Sequence, residues 1–517
     1  MKKFKLYFSI LILFSISTVG FINFYLNYEA GSIGKYRTGD NMYRNYNLHK
    51  YLNYFSFDKI FSKKIHFSKV DFFLDFSEND LNNFDSIINL SKIHRQGFLS
   101  SSSKTWRSTT LRTPNELIAA KVKLHGAGNF IYTTGNKSYR VVVKDEKIKK
   151  FEFRLISSFK EGYFEQVFLN QQINNRGILG PDPGKIVLVS NGNEIKDMRY
   201  TEDISNNLLE SKLNHSNYKI IKLNSNWNRN SSPHFNNNFH TAGFSDDDWD
   251  SNDSISFTSF DNYLKKNQSF LTFIDKKEWG KYVANIFFWG QLHSYIGDNL
   301  LFLYDYNKNI MRPISRHEGP AKEINVVDYS NFVQLMIDNY NVSDNTISSL
   351  LWLLSDYEIK THFNKELYDI VNSKAEIISE LDSIYKTSLS KHIYNEQFDI
   401  IKYRYNKLGR IVSNNSNVIE KYLKNSFYVV NSFKDVFEVY SDSDIPIKIL
   451  EIFNGQILSE RELKYNRFKN ENFKKEGFVR QIKRNNNLSE LRLINSVTKD
   501  TINEENITYN NFNFNKL

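Results

Sequence analysis

Two glycines one residue apart, Gly126 and Gly128, follow the apolar-alternating run Ala119-Ala120-Lys121-Val122-Lys123-Leu124-His125. A second run, Lys137-Ser138-Tyr139-Arg140-Val141-Val142-Val143-Lys144, comes after them. A strand, a glycine turn and a strand bring backbone N–H groups to one place, where they can meet a phosphate. Lys137 and Arg140 on the second strand could add positive charge to the same ligand. The same pattern is also that of an ordinary hairpin turn with a solvated basic strand face. Two other clusters carry less chemistry. Asp246-Asp247-Asp248-Trp249-Asp250-Ser251-Asn252-Asp253 has carboxylates at alternate positions, as calcium loops do, but lacks their central glycine. Phe257 stands where such a loop places its bidentate glutamate, so the segment reads as a solvated acidic loop. His234 and His240 flank an asparagine run without a third ligand. No GxSxG, HExxH or Walker A motif occurs.

The elements that must position these residues alternate along a chain of 517 residues, room for two to four domains at roughly 150 residues each. The chain has no cysteine, which excludes a disulfide framework, an iron–sulfur cluster, a cysteine-ligated zinc and a cysteine nucleophile. A net charge of +10, spread along the sequence without a dense Lys/Arg tract, gives no reason to expect nucleic acid as a partner. A mean hydropathy of −0.52 with one long apolar stretch excludes a polytopic membrane protein. That stretch, Leu6 to about Leu26, follows Lys2, Lys3 and Lys5 and matches the ~20 residues that cross a bilayer as a helix. Its basic start predicts a single-pass membrane anchor with the bulk of the chain outside the cytosol. A cleaved signal peptide is the rival reading, against which Thr18-Val19-Gly20 makes a poor cleavage site.

After a stalk, strand character begins near residues 66–78, and a short helix is expected from Asn79 to Ile93. A Ser/Thr/Arg loop is expected over 96–115. Residues 119–201 read as β-rich, with a helix at Phe164 to Asn175 and a hairpin turn at Asn191-Gly192. Residues 222–256 read as an exposed polar insertion. Asp275-Lys276-Lys277-Glu278 is a capping box. It opens a helix whose Trp279, Val283, Ile286, Phe287 and Gly290 share one face. A hairpin, Leu300–Tyr304 to Ile310–Ile314, follows; then helical periodicity over 364–425 and short strands from about 434.

Taken in order, these segments resemble the CotH kinase family, atypical kinases named for a spore-coat protein. The family's strand–turn–strand reads like (V/L)K(L/V)RGxGS…KKSYRxKxK; here it is Val122-Lys123-Leu124-His125-Gly126-Ala127-Gly128-Asn129 and then Asn136-Lys137-Ser138-Tyr139-Arg140-Val141. Next come Phe164 to Asn175, Ile186 to Gly192, and Tyr200-Thr201-Glu202-Asp203-Ile204, then Trp279 to Gly290 and the stretch His293 to Asn299. The resemblance covers about residues 66–330. It implies Gly126, Gly128, Lys137, Arg140 and Glu202 around a nucleotide, and Asn299 at a metal-binding asparagine with Asp298 beside it. His293 falls where the family's catalytic loop, Gly-Asn-x-Asp, has its aspartate. His317, followed by Glu318, falls at a second metal-binding aspartate. Imidazole suits magnesium poorly, so Glu318 or Asp298 could substitute, another divalent metal could be held, or the site could be degenerate.

The expected fold class is therefore α+β: an atypical protein-kinase-like, CotH-like core with an N-terminal transmembrane helix, a helical extension and a small β-rich C-terminal module. The expected division is an anchor over 1–27, a stalk over 28–65, the core over 66–330, the extension over 331–430 and the terminal module over 431–517. The implied activity is phosphorylation of a protein or glycan hydroxyl at the cell envelope, using ATP with Mg or Mn. His293 and Asp298 would be catalytic, and Asn299, His317 and Glu318 would hold the metal. The alternative is a catalytically degenerate pseudokinase scaffold, or a glycan- or protein-binding module, in envelope or surface-polysaccharide assembly.

Overall fold

The computed structural model describes residues 70–94, 104–125 without 115, 137–143, 151–157, 163–222 without 192–193, 203 and 205, 259, 262, 265–291, 301–315, 321–324, 352–390, 398–424, 428–432, 436–441, 445–463, 466–468, 477–483, 490–503 and 507–510. Its first half is a closed β-barrel. Strands β1 (Phe72–Asp75), β2 (Arg107–Arg112), β3 (Leu117–Leu124), β4 (Tyr139–Val143), β5 (Phe151–Ser157), β6 (Lys185–Asn191) and β7 (Glu194–Glu202) run in the order β1-β2-β3-β4-β5-β7-β6. A parallel pairing, Phe72 opposite Val189, joins β6 back to β1; the other neighbours are antiparallel. Side chains alternate across a strand. Ala120, Val122 and Leu124 of β3, Tyr139, Val141 and Val143 of β4, and Phe153 and Leu155 of β5 therefore share one interior core. Helix α1 (Glu78–His94) adds Phe84 and Ile88 to it. Its start is fixed by Ser77, whose Oγ accepts the Asp80 amide at 3.1 Å.

The expected kinase-like, CotH-like core with a transmembrane helix is corrected here. Residues 72–202 close on themselves as a seven-stranded barrel. Among the described residues no helix is long and apolar enough to cross a membrane. The apolar run 6–26, the stalk 28–65 and the polar insertion at 223–256 lie outside the described residues. The physical reason is closure, which uses up both edges of the sheet. It depends on a pairing between residues more than a hundred positions apart, such as Phe72 and Val189. It also uses β2, which the sequence reads as loop because only Leu111 of its Arg-Ser-Thr-Thr-Leu-Arg run is buried.

The second half is built around a sheet of β8 (Tyr218–Lys222), β9 (Leu301–Asp305) and β10 (Ile310–Ile314), in the order β10-β9-β8. Helices α2 (Tyr163–Asn175), α3 (Asn206–Leu213), α4 (Lys276–Trp289), α5 (Tyr357–Asn372), α6 (Lys374–Ser390) and α7 (Phe398–Lys424) complete it. Beyond α7, strands β11 (Tyr428–Ser432), β12 (Val436–Ser441), β15 (Asn466–Phe468), β16 (Gly477–Lys483) and β18 (Ile507–Asn510) form one sheet. Strands β13 (Ile447–Phe453), β14 (Gln456–Leu463) and β17 (Glu490–Asn495) form another.

Helix α4 runs through the middle of the large core. Asp275 caps it, accepting the amides of Lys277 at 2.9 Å and Glu278 at 3.1 Å. Gly290, at φ 61°, ends it in the left-handed conformation that glycine adopts without cost. Glu278 does not return to close the expected capping box; it takes the Arg312 guanidinium of β10 at 2.8 and 2.9 Å. Nor is the helix apolar on one face alone, because every residue from Trp279 to Trp289 except Lys281 is buried. Such an all-round apolar helix belongs in a core. Close approach of α5 depends on Gly280: a β-carbon there would lie 2.6 Å from His362 Cβ and 2.7 Å from Ile359 O. Both neighbours are fixed parts of α5, so relief requires moving the helix. Gly280→Ala is expected to destabilise the protein by about 1–3 kcal/mol, read as a lower midpoint in urea with unchanged slope; an unchanged midpoint would refute the tight contact.

Candidate functional site

The end of β7 collects polar groups that local sequence order keeps apart. Tyr200 and Glu202 alternate with the buried Arg199 and Thr201, so they share a face with Met198 of the barrel core. The Tyr200 hydroxyl donates to Glu202 Oε1 at 3.1 Å. Its ring packs against Phe153 and Phe72, with centroids 5.0 and 5.8 Å away, and the Lys185 ammonium lies 5.6 Å from its face. The chain reaches this spot through Pro181-Asp182-Pro183-Gly184. Gly184 has φ +77° and lies so close to β7 that a β-carbon would meet Tyr200 O at 2.2 Å. Only glycine satisfies both conditions.

Lys212, in the last turn of α3, closes the cluster from the other side. Its Nζ donates to Gly180 O at 2.8 Å and Asn174 Oδ1 at 2.9 Å, and lies 3.6 Å from Asp182 Oδ1. Burial pushes the Glu202 carboxyl above the usual carboxylate range; Asp182 adds to that, while the Tyr200 hydrogen bond and Lys212 oppose it. Burial pushes the Lys212 ammonium down against the pull of Asp182 and Glu202. Tyr200 is driven up by burial and then by the Glu202 charge. A carboxyl raised and an amine lowered within one polar cluster can hold a proton for transfer or orient a hydroxyl.

The residues expected from sequence are distributed as follows. Glu202 is in this cluster. Lys137 forms an ion pair with Asp85 of α1 at 2.8 Å. Arg140 pairs with Glu152 across β4 and β5. Arg140 alternates with Tyr139 and Val141 of the barrel core, so it lies on the opposite face of its strand, and the structure does not bring it to the face of Glu202. Gly126 and Gly128 lie outside the described residues, beyond the point where the His125 amide donates to Ser138 O at 2.8 Å. His293, Asp298, Asn299, His317 and Glu318 also lie outside them, as do the acidic tract at 246–253 and His234 and His240.

The described flanks of two of these segments are nevertheless informative. Residues 292–300 end at Leu301 of β9, and residues 316–320 begin after Ser315, which follows β10. Leu301 is the register partner of Ile314, so both segments meet the sheet at the same end of one hairpin. That end is tied to the polar cluster: the Ser315 amide donates to Leu179 O at 2.7 Å, and Gly180 lacks a β-carbon that would lie 3.1 Å from Ser315 O. Tyr200, Asp182 and Lys212 were not expected from sequence. The i, i+2 spacing of Tyr200 and Glu202 on a strand was the available signal for the first, and the Pro-Asp-Pro-Gly turn for the second. Nothing local marks Lys212.

Among the described residues no group of three or more His, Asp or Glu side chains is placed to hold a metal ion. Compared with known proteins, the chain matches no family model and no curated protein sequence.

The Glu202 shift has a sign that can be checked. A carboxyl whose folded value is raised binds its proton more tightly in the folded than in the unfolded chain. Its contribution is fully present below the ordinary glutamate range and is lost as pH rises through the raised folded value. As pH rises from the ordinary glutamate range through the raised folded value, thermal unfolding is expected to show wild type losing stability relative to Glu202→Gln. Parallel curves for the two proteins would contradict the assignment.

Proposed function

We propose that this chain is a phosphotransferase of the cell envelope that moves a phosphoryl group from ATP to a protein or glycan hydroxyl. The observation that supports it is the common origin of two segments. Their described flanks, Leu301 and Ile314, are register partners, and Ser315 is bonded to Leu179, next to the Gly180 carbonyl that Lys212 holds. Those two segments carry the residues the sequence proposes as catalytic and metal-binding: His293, Asp298, Asn299, His317 and Glu318.

Phosphoryl transfer consists largely of positioning and charge neutralisation. The oxygen donors Asn299, Glu318 and Asp298 fit Mg or Mn, whereas the His317 nitrogen fits another divalent metal better. When bound, the metal would neutralise charge on the transferring group. In this reading His293 orients the acceptor hydroxyl, and Glu202, with its raised carboxyl, holds or accepts a proton at the edge of the site. A second reading has one observation in its favour. Lys137 and Arg140, the cations proposed for the phosphates, are engaged with Asp85 and Glu152. That suits a chain that binds a protein or glycan in surface assembly without catalysis.

Thermal unfolding of the full chain with ATP, with Mg²⁺ or Mn²⁺, and with both separates the readings. At a ligand concentration of about 100 times Kd the stabilisation is about 2.7 kcal/mol. Stabilisation that needs nucleotide and metal together, and disappears in Asn299→Ala, is the expected result. No stabilisation by any combination would leave the binding module as the better reading.

A further inference from the structure

The outer wall of the barrel carries a row of like charges. Lys123 of β3 alternates with Val122 and Leu124, Arg140 of β4 with Tyr139 and Val141, and Arg154 of β5 with Phe153 and Leu155. Those apolar neighbours fill the interior, so the three cationic side chains leave the barrel on its outside. Lys123 is the register partner of Arg140, and Arg140 is the register partner of Arg154. The cations thus stand directly opposite one another across three adjacent strands, and each is partly exposed. Two lysines extend the charge at the β3 end. Lys121 is exposed two residues before Lys123, on the same face. The Lys104 ammonium is pushed down by burial and then by the charge of Lys123. Trp106 stands at this end too, 39% exposed, with the Lys123 ammonium 4.4 Å from the centre of its ring.

Like charges directly opposite across a sheet repel and cost stability. Glu152, two residues before Arg154 on β5, pairs with Arg140 and orients its guanidinium. A ligand bearing a negative charge for each strand relieves the repulsion along the whole row. Guanidinium groups take carboxylate or phosphate in a planar fork, which adds direction to the attraction. Adjacent strands lie about 4.8 Å apart, so a chain laid across them meets one cation per strand at about that step. An extended sugar polymer with one acidic group per ring has a repeat of that order. Trp106 supplies a flat apolar surface, with a polar tip, on which a sugar ring can rest at the end of the track. Single-stranded nucleic acid is held differently, by aromatic platforms repeated along the groove.

We infer that the outer-wall row of Lys123, Arg140 and Arg154, with Trp106 at its end, binds a linear anionic glycan laid across the strands. The site is separate from the cluster at Glu202. Glu202 is the register partner of the inward-facing Phe153 and so lies on the other side of the barrel wall. The inference does not rest on the phosphotransferase reading.

The test titrates the full chain with an oligogalacturonate, which carries one carboxylate per sugar, at low salt and with salt added. Neutral dextran and a single-stranded oligonucleotide are run beside it. Binding of the oligogalacturonate that weakens as salt screens it, with none of dextran, is the expected result. The double variant Lys123→Gln, Arg154→Gln is expected to bind at least about tenfold more weakly, because each cation supplies a charge-assisted contact. Should that variant lose its cooperative thermal transition, Lys121→Gln with Lys123→Gln replaces it, with the same expectation. Lys308→Gln removes a charge at the exposed β9–β10 turn and is expected to bind like wild type. An equal loss there would overturn the inference, since the attraction would then be to net charge alone. Trp106→Ala is expected to weaken the oligogalacturonate and to leave the oligonucleotide unchanged. No binding of oligogalacturonate, or tighter binding of the oligonucleotide, would refute the assignment to a glycan.

Discussion

The burial of α4 is the constraint on which the second half of the molecule depends. A helix buried from Trp279 to Trp289 apart from Lys281 must draw nearly all its neighbours from the protein, and its buried polar atoms look for partners there. Trp279 Nε1 donates to Met311 O at 3.0 Å, and Glu278 takes Arg312, so β10 is fixed against the start of the helix. Gly280 admits α5 to close range. Asn285 donates to Glu366 Oε1 at 3.1 Å, and that carboxylate is also the partner of Arg176 at 3.1 Å, just past the end of α2. The last turn gives its Phe288 carbonyl to Asn415 of α7. Sheet, α2, α5 and α7 therefore take their places from one helix.

The relation of the barrel to this frame runs through α2, several of whose polar side chains pair with α6 and α7. Glu165, with no exposed surface, faces Arg404 and Lys407 of α7 at 3.4 Å. Gln172 and Asn175 donate to Glu380 of α6 at 2.5 and 2.9 Å. Desolvating such groups cancels much of what their pairing gains, so the seam contributes little net stability. Its effect is on orientation, since hydrogen bonds demand an alignment that packing alone leaves loose. Leu179 and Gly180 follow directly from α2, and they are the residues that meet Ser315 and Lys212. The polar seam and the polar cluster at Glu202 are thus two ends of one continuous stretch of chain.

That stretch explains why Glu202 is perturbed while Lys137 and Arg140 are not at the same place. Glu202 ends a barrel strand on its core side, where the neighbouring residues are Tyr200, Asp182 and Lys212. Lys137 and Arg140 answer carboxylates of α1 and β5, Asp85 and Glu152. Asp182 and Lys212, which join Glu202 there, come from outside the barrel strands.

Much of the secondary structure was legible along the chain, because it follows from local periodicity and end signals. The helix at Tyr163–Asn175, the Asn191-Gly192 hairpin, the cap at Asp275 and the β9–β10 hairpin all rest on residues within a few positions of one another. Glu202 was singled out by a family resemblance; its neighbours were not, because Tyr200, Asp182 and Lys212 come together only when α3 folds back on the segment after α2. Closure of the barrel through Phe72 and Val189, and the strand made from Arg107–Arg112, were misread for the same reason. A mostly polar strand has no apolar alternation to show, and a parallel pairing across more than a hundred residues has no local signature. The sequence by itself determined many of the elements, the absence of cysteine chemistry and the residue types available to a site. Tertiary structure alone decided which of those residues share an environment, because burial and pairing of charge are properties of packed surfaces and not of neighbours along a chain.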